Sequence, residues 1–234
     1  MAENSVTRVS ACRLRVDDAP WGYARENAAA IDAHWQARLI THPHDFDGII
    51  HMVRDYAIKD GALVATFRRT SFKCFLYWRA QRYPEAAALD AFGSAILRSS
   101  EGHVLLGRQR KGINAGLAYL PGGFIDGRDV AMNGLIDIGA SIARELAEET
   151  HLDVAKLTRT PGFVVTRCGP LLSIGQEFRS AMPADVLKTQ ILGNLARETN
   201  PELADIVIIP RRAGAEGQNV PPYTLLVLEA ILGP

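Results

Sequence analysis

Cysteine is scarce in this chain of 234 residues: Cys12, Cys74 and Cys168 are the three. Their number is odd and none sits in a C-x-x-C pair, which argues against a disulfide framework and fits a reducing compartment. Long apolar runs are also missing. The longest, Tyr223 to Leu232, is interrupted by Thr224 and Glu229 and is too short to span a bilayer. The first residues, MAENSVTRVS, hold no apolar core of a secretory leader. A cytoplasmic protein with no membrane partner is therefore expected. Net charge is absent too, with 26 Lys and Arg against 26 Asp and Glu. A partner gripped through its phosphate backbone favours a basic surface, so no nucleic-acid partner is expected. A small phosphorylated ligand needs only a few local cations and stays open. No repeat or low-complexity stretch is visible.

What is present is an ordinary soluble composition, 47% hydrophobic and 22% charged, enough to bury a core. The chain reads as one large domain, or as a domain of common size with an extension. Residues 1–20 are polar and read as loosely packed. Helical spacing runs from Tyr23 to Leu39, and Asp60-Gly61 between two apolar stretches is a hairpin signal. Phe72 to Trp78 is an apolar run of undecided type. Strands follow at Gly93–Arg98, His103–Arg108, Leu117–Leu120, Phe163–Arg167, Leu171–Ala181 and Ile206–Ile209. Helices are read at Ile142–Leu152, around Leu187, Ile191 and Leu195, and at Tyr223–Leu232, where Gly233 is the stop. Strands and helices mix without a strict βαβ repeat, so the class is α/β, a mixed sheet with helices on its faces.

Chemistry concentrates in Arg144-Glu145-Leu146-Ala147-Glu148-Glu149. On a helix Glu145, Glu148 and Glu149 stand at i, i+3 and i+4 and share a face. Gathered carboxylates repel, and a hard cation such as Mg²⁺ or Mn²⁺, which prefers oxygen ligands, removes that penalty. Arg144 lies one turn from Glu148 and can pair with it. A solvated acidic face is the ordinary alternative for such a run. About twenty residues earlier a strand ends in Pro121-Gly122-Gly123, where the absence of side chains lets backbone approach a ligand or metal closely.

This segment resembles the box of the Nudix hydrolases: Gly, five residues, Glu, seven residues, then Arg-Glu-U-x-Glu-Glu-x-Gly-U, with U a bulky aliphatic. The second half matches Arg144 to Leu152 at every charged position. Two departures stand out. Asp129 occupies the place of the first Glu, and fourteen residues separate it from Arg144 where the family has seven. Asp126, Asp129 or Asp137 could take that first role, or none of them. His151 replaces the final Gly, which in the family follows the helix in a left-handed conformation.

The resemblance implies an α/β/α sandwich over residues 89–234, preceded by an extension over 1–88 with an N-terminal helix and a β-hairpin. It implies hydrolysis of a diphosphate bond in a nucleoside diphosphate linked to another group. Mg²⁺ or Mn²⁺ would be held by the Gly122 carbonyl with Glu145, Glu148 and Glu149. Glu148 or Glu149 would take the proton from water and Arg144 would orient the glutamates. Glu177, on the strand Leu171–Ala181, is the candidate for a base or ligand outside the box. Arg108, Arg110, Lys111 and Asn114 precede the Gly-Gly strand and are candidate substrate contacts. Residues 42–48 and 66–70 loosely resemble the N-terminal module of Nudix proteins acting on UDP-sugars, so a nucleotide sugar is one expected substrate, and a homodimer one expected assembly. The alternative is a non-catalytic Nudix-fold module that binds a nucleotide metabolite.

Overall fold

The computed structural model describes residues 4–85 and 87–233. In chain order the elements are β1 (Ser5–Val9), β2 (Ala11–Asp17), α1 (Gly22–Glu26), α2 (Ala28–Thr41), β3 (Ile49–Lys59), β4 (Ala62–Ser71), α3 (Phe72–Ala80), β5 (Asp90–Arg98) and β6 (Val104–Gln109). Then come β7 (Ala118–Tyr119), β8 (Leu135–Ile136), α4 (Ile138–Thr150), β9 (Thr158–Arg159), β10 (Phe163–Cys168), β11 (Leu171–Arg179), α5 (Ala184–Leu195), β12 (Leu203–Ile209) and α6 (Pro222–Leu232). The α/β class expected from the sequence is what the structure shows. Among the described residues no helix is long and apolar enough to cross a membrane.

The chain divides into two compact units. One comprises residues 1–10, 92–123 and 139–234, and the other 11–91 and 124–138. The chain passes between the units at 10/11, 91/92, 123/124 and 138/139.

The first unit is built on a sheet of order β1-β10-β11-β5-β6-β12, with β7 added to β6 and β9 to β11. Strand alternation sends successive side chains to opposite faces. Val104, Leu106, Val207 and Ile209 pack in one cluster with Val227 and Leu228 of α6. Leu105 and Ile206 therefore face the other way, toward the side on which α5 packs against β12. There α5 buries Leu187, Ile191 and Leu195, the four-residue spacing read from the sequence. The Asn194 side chain of α5 donates to the carbonyls of Thr150 (3.3 Å) and His151 (3.1 Å), fixing the end of α4 on the same side. This is the expected α/β/α sandwich. Pro222 opens α6 at its first turn and Gly233, at φ +75°, ends it.

The second unit holds a sheet of order β3-β4-β2-β8, in which β2 and β4 run parallel. The hairpin at Asp60-Gly61 forms with φ of 49° and 70°, the positive values a two-residue turn of this kind demands. Phe72–Trp78 is helical. Ser71 caps it by accepting from the Cys74 amide at 3.3 Å.

One sequence expectation is corrected. Within residues 1–20, of which 1–3 lie outside the described residues, 5–9 and 11–17 are not loosely packed: β1 pairs antiparallel with β10, and β2 lies between β4 and β8. Cys12, Leu14 and Val16 alternate with Arg13 and Arg15, the period of a half-buried strand. The residues inserted before the box helix supply β8, which pairs Ile136 with Leu14 and Leu135 with Arg15.

Candidate functional site

Helix α4 presents an apolar stripe, with Ile142 and Leu146 fully buried one turn apart. The stripe fixes where the three glutamates fall. Glu148 is half exposed (50%), Glu145 nearly covered (14%) and Glu149 buried (4%). The ordinary alternative, a solvated acidic face, fails for Glu149. Arg144 Nη1 donates to Glu145 Oε1 at 2.6 Å and to Glu148 Oε2 at 3.2 Å, the second an i,i+4 pair. It thus bridges two of the glutamates.

Glu149 Oε1 lies 3.5 Å from the Gly122 amide, and its Oε2 is buried with no partner among the described residues. A buried unpaired oxygen of an acid is costly. Its carboxyl is pushed well above the usual carboxylate range, first by burial, then by the negative charges of Glu202 and Glu145. An orphaned hard oxygen beside further carboxylates is the donor chemistry of a hard divalent cation.

The Pro121-Gly122-Gly123 segment shows why glycine stands at each position. A Cβ on Gly122 would run into the Gly93 carbonyl, with the Gly93 carbon at 3.0 Å. One on Gly123 would come within 2.6 Å of the Glu145 carboxyl carbon. The carbonyls of Pro121 and Gly123 accept from the amides of Ala95 (2.6 Å) and Gly93 (3.2 Å). Among the described residues the Gly122 carbonyl between them accepts no hydrogen bond. It is the carbonyl the sequence singled out.

His151 adopts φ +53°, the left-handed conformation expected where the box has its last Gly, and its amide donates to the Ala147 carbonyl at 2.8 Å. Its Nε2 lies 2.6 Å from Glu198 Oε1. The Asp126 side chain accepts from backbone within the turn 127–129, and the Asp129 side chain accepts from the Asp126 amide at 3.0 Å, a reciprocal cap. Both aspartates belong to the second unit, as does Asp137.

Glu177 is 8% exposed, and its oxygens face cations: Oε1 takes Arg179 Nε at 2.5 Å and Thr160 at 3.5 Å, and Oε2 lies 3.6 Å from Arg98. Its carboxylate is thus engaged by two guanidiniums. The Arg108 guanidinium donates to the carbonyls of Gly116 (3.0 Å) and Gln218 (3.2 Å) and to Gln218 Oε1 (3.0 Å), tying two loops together. Lys111 Nζ reaches the Asn200 carbonyl at 3.3 Å. Arg110 is exposed, and its amide donates to the Glu202 carbonyl at 2.8 Å. Asn114 is half buried.

One residue escaped the sequence reading. Glu202, just before β12, is the charge that most affects Glu149 and takes a hydrogen bond from Gln109 Nε2 at 2.7 Å. Pro201-Glu202 carries no motif, and only the pairing of β12 with β6 brings it to the site. Among the described residues, no group of three or more His, Cys, Asp or Glu side chains stands in a metal-ready cluster. Arg144, bonded to Glu145 and Glu148, supplies the positive charge instead.

No family model matches the chain, and neither does any curated protein. Solved structures do match. NrtR of Shewanella oneidensis, complexed with a 27mer DNA, is 20% identical over 59% of this chain and 58% of that one, at a TM-score of 0.39. The MutT protein from Methanosarcina mazei Go1 is 19% identical over 61% of this chain and 92% of that one, at 0.37. A bifunctional NMN adenylyltransferase/ADP ribose pyrophosphatase from Francisella tularensis, complexed with AMP and a Mn ion, is 16% identical over 68% and 45%, at 0.44. The chain thus spans about 58% and 45% of the first and third of these.

Proposed function

We propose that the chain hydrolyses the diphosphate bond of a nucleoside diphosphate linked to another group, with Mg²⁺ or Mn²⁺ as cofactor. The observation that carries this reading is the orphaned Oε2 of buried Glu149 beneath Gly122, on the helix that also presents Glu145 and Glu148. Glu145, Glu148, Glu149 and the Gly122 carbonyl would hold the cation, with Glu202 beside them. When bound, the cation neutralises phosphate oxygens and lowers the pKa of water. Arg144 orients Glu145 and Glu148. Glu148, the most exposed of the three, accepts the proton of the attacking water at its carboxylate. Arg110, exposed near Glu202, is the candidate contact for a phosphate, whereas Arg108 serves the loops. The partners of Glu177 favour a structural ion pair, so the base is assigned to α4. Among substrates a nucleotide sugar is the first to test, on the loose likeness of residues 42–48 and 66–70.

A second reading, a nucleotide-metabolite-binding module without catalysis, is favoured by one observation: Arg144 already neutralises Glu145 and Glu148. A panel of nucleoside diphosphate derivatives and nucleoside triphosphates, incubated with Mg²⁺ or Mn²⁺, separates the two readings on wild type and Glu148→Gln. Cation-dependent turnover lost in Glu148→Gln supports the hydrolase. Ligand binding by the folded wild type without turnover on any member supports the module.

A further inference from the structure

Gln109 and Tyr119 are polar residues in a place that disfavours them. Each is 8% exposed, at the end of β6 and on β7. A buried phenol and a buried amide need partners, and here they find one another. The Tyr119 hydroxyl donates to Gln109 Oε1, and Gln109 Nε2 donates to Glu202 Oε1 at 2.7 Å. Only this orientation of the amide gives each group a complementary partner, because a carboxylate accepts and cannot donate. The chain of bonds therefore has a direction. It starts at a buried hydroxyl and ends on a carboxylate.

That carboxylate belongs to an exposed residue, and an exposed glutamate ordinarily samples many rotamers. Glu202 is held at two points. Its carbonyl accepts from the Arg110 amide at 2.8 Å, next to Gln109 in sequence, and its side chain is gripped by Gln109. The β12 register shifts between Leu203 and Asp205, immediately after it, as a bulge that re-aims a side chain does. Held there, Glu202 carries the negative charge that weighs most on Glu149, whose Oε2 is buried with no partner among the described residues. Packing alone gives no reason to fix one carboxylate near another. A cation between them does.

We propose that Tyr119 and Gln109 are positioning residues: they hold Glu202 in place as part of the cation-binding set formed with the α4 glutamates. This rests on the cation-dependent reading of the site. The hydrogen bonds Tyr119–Gln109–Glu202 act on the cation only through Glu202.

The test is Mn²⁺ binding by the full chain, read as free Mn²⁺ by electron paramagnetic resonance, without substrate. The proteins are wild type, Tyr119→Phe, Gln109→Met, Glu202→Gln and Tyr119→Phe/Glu202→Gln, each checked for folding by circular dichroism. Loss of such a supporting hydrogen bond weakens metal affinity roughly tenfold or more, so each single variant should bind Mn²⁺ that much more weakly. The double variant should bind no more weakly than Glu202→Gln. A purely structural role for Tyr119 would not produce this non-additivity. Gln109→Met, close in length to the native side chain, gives the same reading should Tyr119→Phe fold poorly. Wild-type affinity in Tyr119→Phe and Gln109→Met would overturn the proposal, as would losses that add in the double variant. Absence of Mn²⁺ binding by wild type would instead overturn the cation reading beneath it.

Discussion

Gly122 and Gly123 are adjacent, yet alanine at each should do different damage. At Gly122 the new methyl meets main chain, the carbonyl of Gly93 on the neighbouring strand. Backbone cannot rotate aside, so β5 must move. Overpacking of this kind costs about 3 kcal/mol or more, a large share of a domain's stability. At Gly123 the methyl meets a side chain, with the Glu145 carboxyl carbon 2.6 Å away and its Oε1 at 3.2 Å. Glu145 can swing out, losing its 2.6 Å bond to Arg144. That partly exposed pair contributes about 0.2–1 kcal/mol, so Gly123→Ala should fold almost as stably as wild type. Displacing Glu145 should nonetheless weaken Mn²⁺ binding roughly tenfold. Urea unfolding and a Mn²⁺ titration of the two variants read these quantities separately. Equal loss of stability in the two, or native Mn²⁺ affinity in Gly123→Ala, would refute the reasoning.

Three further outcomes follow from buried or strained groups. Asp90 is buried where β5 begins, and desolvation raises its carboxyl from 3.8 to about 7, with only Arg79 opposing. The contribution of protonated Asp90 to stability is present in full below pH 3.8 and is lost as pH rises through about 7. At 1.4 kcal/mol for each pH unit, Asp90→Asn should be about 4 kcal/mol more stable than wild type at pH 8 and equal to it near pH 4, as read by urea unfolding at the two pH values. Glu149 is likewise raised, so Glu149→Gln should melt higher than wild type at neutral pH without cations and lose the rise that Mg²⁺ gives wild type, both read in one thermal scan. His151 holds a left-handed conformation that L side chains disfavour by about 1–2 kcal/mol. Stability by denaturant unfolding should therefore fall in the order Gly, His, Val at position 151.

How far the sequence could be read depended on where each signal lay. The box helix was legible because its information is local: Glu145, Glu148 and Glu149 repeat at helical spacing, and Ile142 and Leu146 mark the buried stripe. The left-handed turn at His151 was legible from the register of the motif. The Asp60-Gly61 hairpin was legible because two residues suffice to set it. The strand at 11–17 was overlooked because two arginines and an aspartate masked an alternation that Cys12, Leu14 and Val16 carry. Phe72–Trp78 stayed undecided because so short an apolar run fits either period. The true partners of Glu177 and Arg108 were hidden for another reason. Their charge was visible, but the alternation at Glu177 was ambiguous, and Arg98 and Gln218 reach the two residues only through tertiary pairing. Glu202 was invisible because β12 must first dock on β6.

The central claim is that the α4 glutamates make this chain a cation-dependent diphosphohydrolase. It is tested most directly by phosphorus NMR of a nucleotide sugar and other nucleoside diphosphate derivatives, incubated with the protein and Mg²⁺ in ¹⁸O-enriched water. The account predicts that the diphosphate resonances of one such compound give way to two phosphomonoesters, one carrying a single ¹⁸O, and that Glu149→Gln leaves that compound intact. Intact diphosphates throughout, in the presence of folded, Mg²⁺-bound wild-type protein, would contradict it.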